Sequence, residues 1–150
     1  MHLISSARNV TWAERWLWAQ AYVLLGIMRL AIKMVTFQRL VTWFGKRQTE
    51  SSYELPTEQL AVAQQVKWAI ASASRFTPWK SNCFPQAAAA QQLLRQRGIR
   101  STLYLGAKFD TQTLEQPREL KAHAWLRSGS YIVTGELGHK QFGVVATFAS

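Results

Sequence analysis

The chain has 150 residues, a usual length for one folded domain, and 48% of them are hydrophobic, which excludes a mainly disordered protein. Its single cysteine, Cys83, excludes an intrachain disulfide and a cysteine-rich zinc site. The formal net charge of +10 at pH 7 favours an acidic partner, such as nucleic acid, anionic lipid or an acidic peptide.

The first third of the chain has the pattern of helices. Thr11 and Glu14 have the spacing of a capping box, which predicts a helix that begins near Thr11. Apolar residues recur at helical spacing from Ile27 to Phe44, and Gly26 predicts a kink or a break between two helices. The longest apolar stretch, from Trp16 to Met28, is shorter than the roughly 20 residues that span a bilayer, so we expect a cytoplasmic protein with no membrane-spanning segment. The charged residues of this region also suit a peripheral membrane contact.

The rest of the chain mixes helices and strands. Two further helices are predicted, at Thr57–Ser74 and Pro85–Arg97, and Gly98 suits the C-terminal end of the second. We expect strands at Ile99–Phe109, Ala122–Ser128, Tyr131–Glu136 and Gly143–Phe148, with an exposed loop over Asp110–Lys121. Gly129-Ser130 suits a two-residue type II′ turn.

This order of elements predicts an α+β fold, in which N-terminal helices precede a helix packed on an antiparallel meander. We divide it into a Trp-rich basic helical region, residues 1–48, and a core, residues 49–150, that together form one compact unit. Trp12, Trp16, Trp18 and Trp43 lie in the first region, where we expect core and partner contacts.

One group of residues suits nucleophilic catalysis. Cys83 precedes a predicted helix, whose free N–H groups and macrodipole favour a thiolate over a thiol. His123 and His139 are the candidate bases downstream. If Gly129-Ser130 is the turn, His123 falls opposite Glu136, whose carboxylate would orient the imidazole, whereas a Ser128-Gly129 turn would put Thr134 there. The alternative is that Cys83 is a buried structural cysteine and the histidines only complete hydrogen bonds.

Other kinds of site have no signature in the sequence. There is no phosphate-binding loop, no GxGxxG, no HExxH and no CxxC, so we expect neither a metal nor a cofactor. No module for binding RNA or DNA is recognisable, so we do not expect nucleic acid as a partner.

Several separate motifs, in this order, resemble one family, the lasso-peptide biosynthesis B proteins. They are Pro78-Trp79-Lys80-Ser81-Asn82-Cys83-Phe84-Pro85-Gln86-Ala87, Leu93-Leu94-Arg95-Gln96-Arg97-Gly98-Ile99, Ser101-Thr102-Leu103-Tyr104-Leu105-Gly106, Ala122-His123-Ala124-Trp125-Leu126 and Val144-Val145-Ala146-Thr147-Phe148. The resemblance covers residues 75–149, and the Trp-rich helical front is similar in character only.

The resemblance implies a papain/transglutaminase-type fold and a cysteine peptidase that removes the leader from a ribosomally made precursor peptide. It implies that Cys83 is the nucleophile and His123 the general base and acid. The superfamily generally uses Asp as the third member, and this chain offers Glu136, or a backbone carbonyl or amide. The Cys83 N–H, with the Asn82 or Trp79 side chain, would stabilise the oxyanion.

The same resemblance implies three partners: the precursor peptide, a separate leader-binding protein and an asparagine-synthetase-like cyclase that closes the macrolactam. Two other functions stay open. One is a non-catalytic adaptor with a degenerate transglutaminase-like fold, which would function with Cys83 alkylated. The other is a charge-driven binder of membranes or nucleic acid, whose binding would fall steeply with added salt.

Overall fold

A computed structural model describes residues 11–77, 83–110, 119–136 and 139–150. Its helices are α1 (Trp12–Met34), α2 (Phe37–Leu40), α3 (Thr57–Ser74) and α4 (Cys83–Gln96), with short 3₁₀ helices at Val41–Phe44 and His139–Gln141. Its strands are β1 (Lys46–Arg47), β2 (Thr102–Asp110), β3 (Glu119–Ser128), β4 (Tyr131–Thr134) and β5 (Gly143–Ala149). The prediction of an α+β fold is confirmed.

The N-terminal helix starts as its sequence predicts. The Thr11 hydroxyl accepts from the Glu14 N–H, and the Glu14 carboxylate accepts from the Thr11 N–H, which completes the capping box. No break occurs at Gly26, because α1 continues through this residue to Met34. The helical pattern from Ile27 to Phe44 is instead interrupted after Met34, where Val35 has extended backbone angles.

α1 meets the criteria for a membrane-spanning helix in length and composition, although we expected none. The most apolar 18-residue stretch of α1 has a mean hydropathy of 1.3, and 28% of that stretch is buried inside the protein. One face of α1 packs against α3 and α4 through a row of core residues, namely Leu17, Ala21, Leu25, Met28 and Ala31.

The strands form one five-stranded sheet in the order β1-β5-β2-β3-β4, and all neighbouring strands are antiparallel. The expected meander is wrong at its end, because β5 returns to pair with β2 instead of β4. The expected loop over Asp110–Lys121 is also too long, since β2 extends to Asp110 and β3 begins at Glu119. Residues 111–118 lie outside the described part of the chain.

Side chains on both faces of the sheet are buried. α4 packs on the face that carries Ala124 and Leu126, and both residues belong to the hydrophobic core. On the other face, Tyr104 stacks on Trp125 with ring centroids 5.4 Å apart. Residues 123, 125 and 127 share that second face, because side chains alternate along a strand.

Candidate active site

The sulfur of Cys83 lies against the backbone of β3, at Ala124, the residue after His123. Cys83 is the first residue of α4, where backbone N–H groups have no partner within the helix. The backbone N–H of Ala124 donates to its Sγ over 3.4 Å. Since this N–H points at Sγ, it does not point at β2, and the sulfur therefore lies at the opposite edge of β3. β4 ends before this point, because its last paired residue, Thr134, lies opposite Leu126.

The imidazole of His123 is held at the same edge. Its Nε2 atom lies 2.8 Å from the carbonyl oxygen of Gly135, the first residue after β4. A carbonyl oxygen only accepts, so Nε2 carries the hydrogen and Nδ1 of the neutral ring is free to accept a proton. The ring also packs between Trp125 and Phe142, with centroids 5.7 Å and 5.0 Å away.

Cys83 and His123 line a common cavity of about 670 Å³. Most of its other lining residues are apolar, and they come from α1, α4, β2 and β3: Ile32, Phe84, Pro85, Leu105, Ala122 and Ala124. Arg29 of α1 also lines the cavity. Between these two described residues, no direct hydrogen bond joins Sγ to the imidazole ring. In unliganded enzymes such catalytic contacts are often long and shorten when substrate binds.

The expected pairing of His123 with Glu136 is wrong. The turn is as predicted, because Gly129 has a φ of 60° and Ser128 pairs with Tyr131. A bulge between Leu126 and Arg127 then shifts the register, so that Leu126 pairs with Thr134 and the count no longer leads from His123 to Glu136.

The carboxylate of Glu136 has another partner. Its Oε2 atom lies 3.0 Å from the Nζ atom of Lys67 on α3, and both side chains are exposed. The hydrogen bond and charge of Lys67 hold the pKa of Glu136 below its usual value.

His139, the alternative base, binds elsewhere. Its Nδ1 atom lies 2.6 Å from the backbone carbonyl oxygen of Glu136, and its ring tilts against Trp125. The expected oxyanion residues Asn82 and Trp79 lie outside the described residues. Within the described chain, no group of three or more His, Cys, Asp and Glu side chains could hold a metal ion.

Two parts of the site escaped the sequence analysis. A backbone carbonyl was an open alternative for the third member, but nothing in the sequence singled out Gly135, which lies inside the predicted strand Tyr131–Glu136. Gly135 has a φ of 72°, and a Cβ atom at this position would collide with the Ala124 carbonyl oxygen. Arg29 and Ile32 were also missed, because the pattern of α1 gives no sign of which residues reach the cavity.

Together these features describe a partly buried cysteine at a helix N-terminus and a histidine on the adjoining strand of an antiparallel sheet, and both side chains line one cavity. A family model described as the transglutaminase-like superfamily matches residues 28–147, and the chain belongs to this superfamily. No curated protein and no solved structure matches the chain significantly.

Proposed function

We propose that the protein is a cysteine peptidase that removes the leader from a ribosomally made lasso-peptide precursor. The observation that carries the proposal is the position of Cys83 at the start of α4, with its sulfur at the backbone N–H of Ala124 and its side chain lining the same cavity as His123. Membership of the transglutaminase-like superfamily, which includes cysteine proteases, supports the peptidase chemistry. The motifs around Cys83 and His123 support the leader peptide as the substrate.

In the proposed reaction, Nδ1 of His123 takes the thiol proton while Sγ attacks the carbonyl carbon at the junction of leader and core. The carbonyl π electrons move to oxygen, and the Cys83 N–H at the start of the helix stabilises that charge. The C–N bond then breaks, and the amine of the core peptide leaves with the proton from His123. Water, deprotonated by His123, attacks the thioester and releases the leader carboxylate and the free thiol.

The geometry of His123 suits this role. The Gly135 carbonyl accepts from Nε2–H, which directs the basic nitrogen away from Gly135, and Trp125 and Phe142 fix the plane of the ring. The carbonyl would also stabilise the imidazolium that forms after proton transfer, as a carboxylate does in other triads. We therefore propose that Gly135, in place of Glu136, supplies the third member of the triad.

The precursor peptide, a separate leader-binding protein and an asparagine-synthetase-like cyclase are the partners that this proposal entails. The cyclase acts after the peptidase, because macrolactam closure requires the free amine that cleavage produces. The full chain should therefore be assayed together with the leader-binding protein and the precursor, without the cyclase.

The test is mass spectrometry of the precursor after this incubation. We expect two fragments whose masses add up to the precursor plus one water. Cys83→Ala and His123→Gln should lower the rate at least ~10³-fold. His139→Gln is the matched control, because this ring also packs on Trp125 but contacts the Glu136 carbonyl. Unchanged cleavage by folded Cys83→Ala protein would overturn the proposal.

A second measurement separates the peptidase from the adaptor. Cys83 is the only cysteine, so iodoacetamide adds a single carbamidomethyl group whose position is known. We expect the alkylated protein to bind the leader-binding protein but to leave the precursor intact. An adaptor would work equally well before and after alkylation.

A further inference from the structure

α1 carries a second apolar face that the described part of the protein leaves exposed. Six large apolar side chains on it are between 49% and 83% exposed: Trp12, Trp16, Val23, Ile27, Leu30 and Met34. We call these six residues the α1 stripe. Single exposed apolar residues are common on protein surfaces, but a continuous row along a helix marks an interaction surface.

The spacing of the α1 stripe places all six side chains on one side of the helix. They follow each other at intervals of three, four or seven residues. At 3.6 residues per turn, they fall within an arc of about 60°, centred about 130° from the face that packs on α3 and α4. The α1 stripe is therefore a separate surface, and the core does not use it.

The charges beside the α1 stripe are positive. Arg15 and Lys33 are exposed and project about 90° from the stripe on one side. The guanidinium of Arg15 lies 5.2 Å from the ring centre of Trp12, so a cation and an indole share the N-terminal end of the helix. Tryptophan beside basic residues is typical of helices that lie in the headgroup region of a membrane.

We propose that the α1 stripe binds the surface of a bilayer that contains anionic lipid, with α1 parallel to the membrane plane. The net charge of +10 and the flanking cations complement anionic headgroups. The same charge opposes a second copy of the chain on this face. α1 is long and apolar enough to span a bilayer, but Leu17, Ala21 and Leu25 are buried against the rest of the protein, and spanning would remove them from the core.

The experiment is co-sedimentation of the full chain with vesicles of phosphatidylcholine alone or mixed with phosphatidylglycerol. We expect binding to the mixed vesicles, weaker binding at high salt, and little binding to phosphatidylcholine. The double variant Ile27→Glu with Leu30→Glu should bind the mixed vesicles at least ~10-fold more weakly, because it places two carboxylates in the apolar layer. Val145→Glu is the control, since Val145 is also an exposed apolar residue, 66% exposed, but lies on β5.

A second pair of variants tests the charges without altering the apolar row. Arg15→Gln with Lys33→Gln should weaken binding to the mixed vesicles, whereas Lys140→Gln, an exposed lysine on the second 3₁₀ helix, should have a smaller effect. Equal binding to both kinds of vesicle, or undiminished binding by the folded Ile27→Glu, Leu30→Glu variant, would overturn the proposal. The proposal would also be overturned if the wild-type chain formed a dimer in solution and bound neither kind of vesicle, while the Ile27→Glu, Leu30→Glu variant was a monomer.

Discussion

The Nε2 atom of His123 lies 2.8 Å from the carbonyl oxygen of Gly135, and no carboxylate of the described chain takes that position. The contact depends on a glycine. At a φ of 72°, Gly135 turns its carbonyl toward the imidazole immediately after β4, and a side chain there would meet Ala124 and Trp125. The orientation of the histidine is thus set by the backbone at the end of a strand.

The first prediction compares two adjacent residues. Glu136→Gln should cleave the precursor within about threefold of the wild-type rate, because the carboxylate binds Lys67 and does not orient His123. Gly135→Ala should lower the rate much further, because it displaces the carbonyl that fixes the tautomer. Correlation spectra of ¹⁵N-labelled imidazole should show the Nε2–H tautomer of His123 in the wild-type protein and lose it in Gly135→Ala. A large loss of activity in Glu136→Gln, with Gly135→Ala active, would restore Glu136 as the third member.

The second prediction concerns the titration of Glu136. Its pKa is lowered by the hydrogen bond and charge of Lys67, so Lys67→Gln should raise the pKa toward the ordinary value for a glutamate. Because the folded-state pKa is the lower one, the ion pair stabilises the protein at pH values above the unfolded-state pKa, and this contribution disappears as the pH falls through the folded-state value. NMR titration of the Glu136 side chain measures its pKa in the wild-type protein and in Lys67→Gln. An identical pKa in wild type and Lys67→Gln contradicts the prediction, and Lys140→Gln serves as the control.

The third prediction tests the packing around the imidazole. Gly106 lies opposite His123 on β2, and a Cβ atom there would approach Trp125 to 2.7 Å and Phe142 to 2.8 Å. Gly106→Ala should therefore displace the two rings that hold His123, lower the unfolding free energy by about 1–3 kcal/mol and slow cleavage. Gly143→Ala is the control, because its nearest contact would be 3.7 Å away. Urea unfolding and the cleavage assay report the two effects, and a Gly106→Ala protein as stable and active as Gly143→Ala would refute this account.

The sequence predicted the elements of the site better than their register. The capping box at Thr11 and the turn at Gly129 are local signals, and the structure confirms both. The predicted pairing of His123 with Glu136 was wrong because it assumed a regular register along β3 and β4. The bulge between Leu126 and Arg127 shifts this register, and the amino-acid composition gives no sign of it.

Contacts between distant parts of the chain could not be predicted either, because local sequence patterns do not show which elements pack together. Nothing local indicates that β5 pairs with β2, that Lys67 of α3 reaches Glu136, or that α1 supplies Arg29 and Ile32 to the cavity. The sequence of α1 also does not show that it has two apolar faces with different roles, because only the fold reveals which of its apolar residues pack on α3 and α4. The division into residues 1–48 and 49–150 stays a prediction.

The last prediction concerns Arg127, a buried arginine on the same face of β3 as His123. It is 4% exposed, and its guanidinium stacks 3.7 Å from the ring centre of Tyr53. It donates to the carbonyl oxygens of Ser51 and Gly129 over 2.9 Å and 2.6 Å. It also donates from Nε to the hydroxyl of Tyr104 over 2.9 Å. Arg127 therefore fixes the segment before α3 onto the sheet.

Arg127→Met keeps much of the apolar part of the side chain but removes all of its hydrogen-bond donors. The carbonyls of Ser51 and Gly129 would then lack this partner, so the unfolding free energy should fall by about 3 kcal/mol or more. Burial raises the pKa of Tyr104, so the phenol stays neutral and its hydroxyl keeps donating to Glu50 over 2.6 Å, but in this variant it loses the hydrogen bond that it accepts from Nε of Arg127. The exposed Arg100→Met should change stability by less than ~0.5 kcal/mol. Urea unfolding followed by tryptophan fluorescence compares the two, and equal midpoints would show that the Arg127 contacts contribute nothing to the fold.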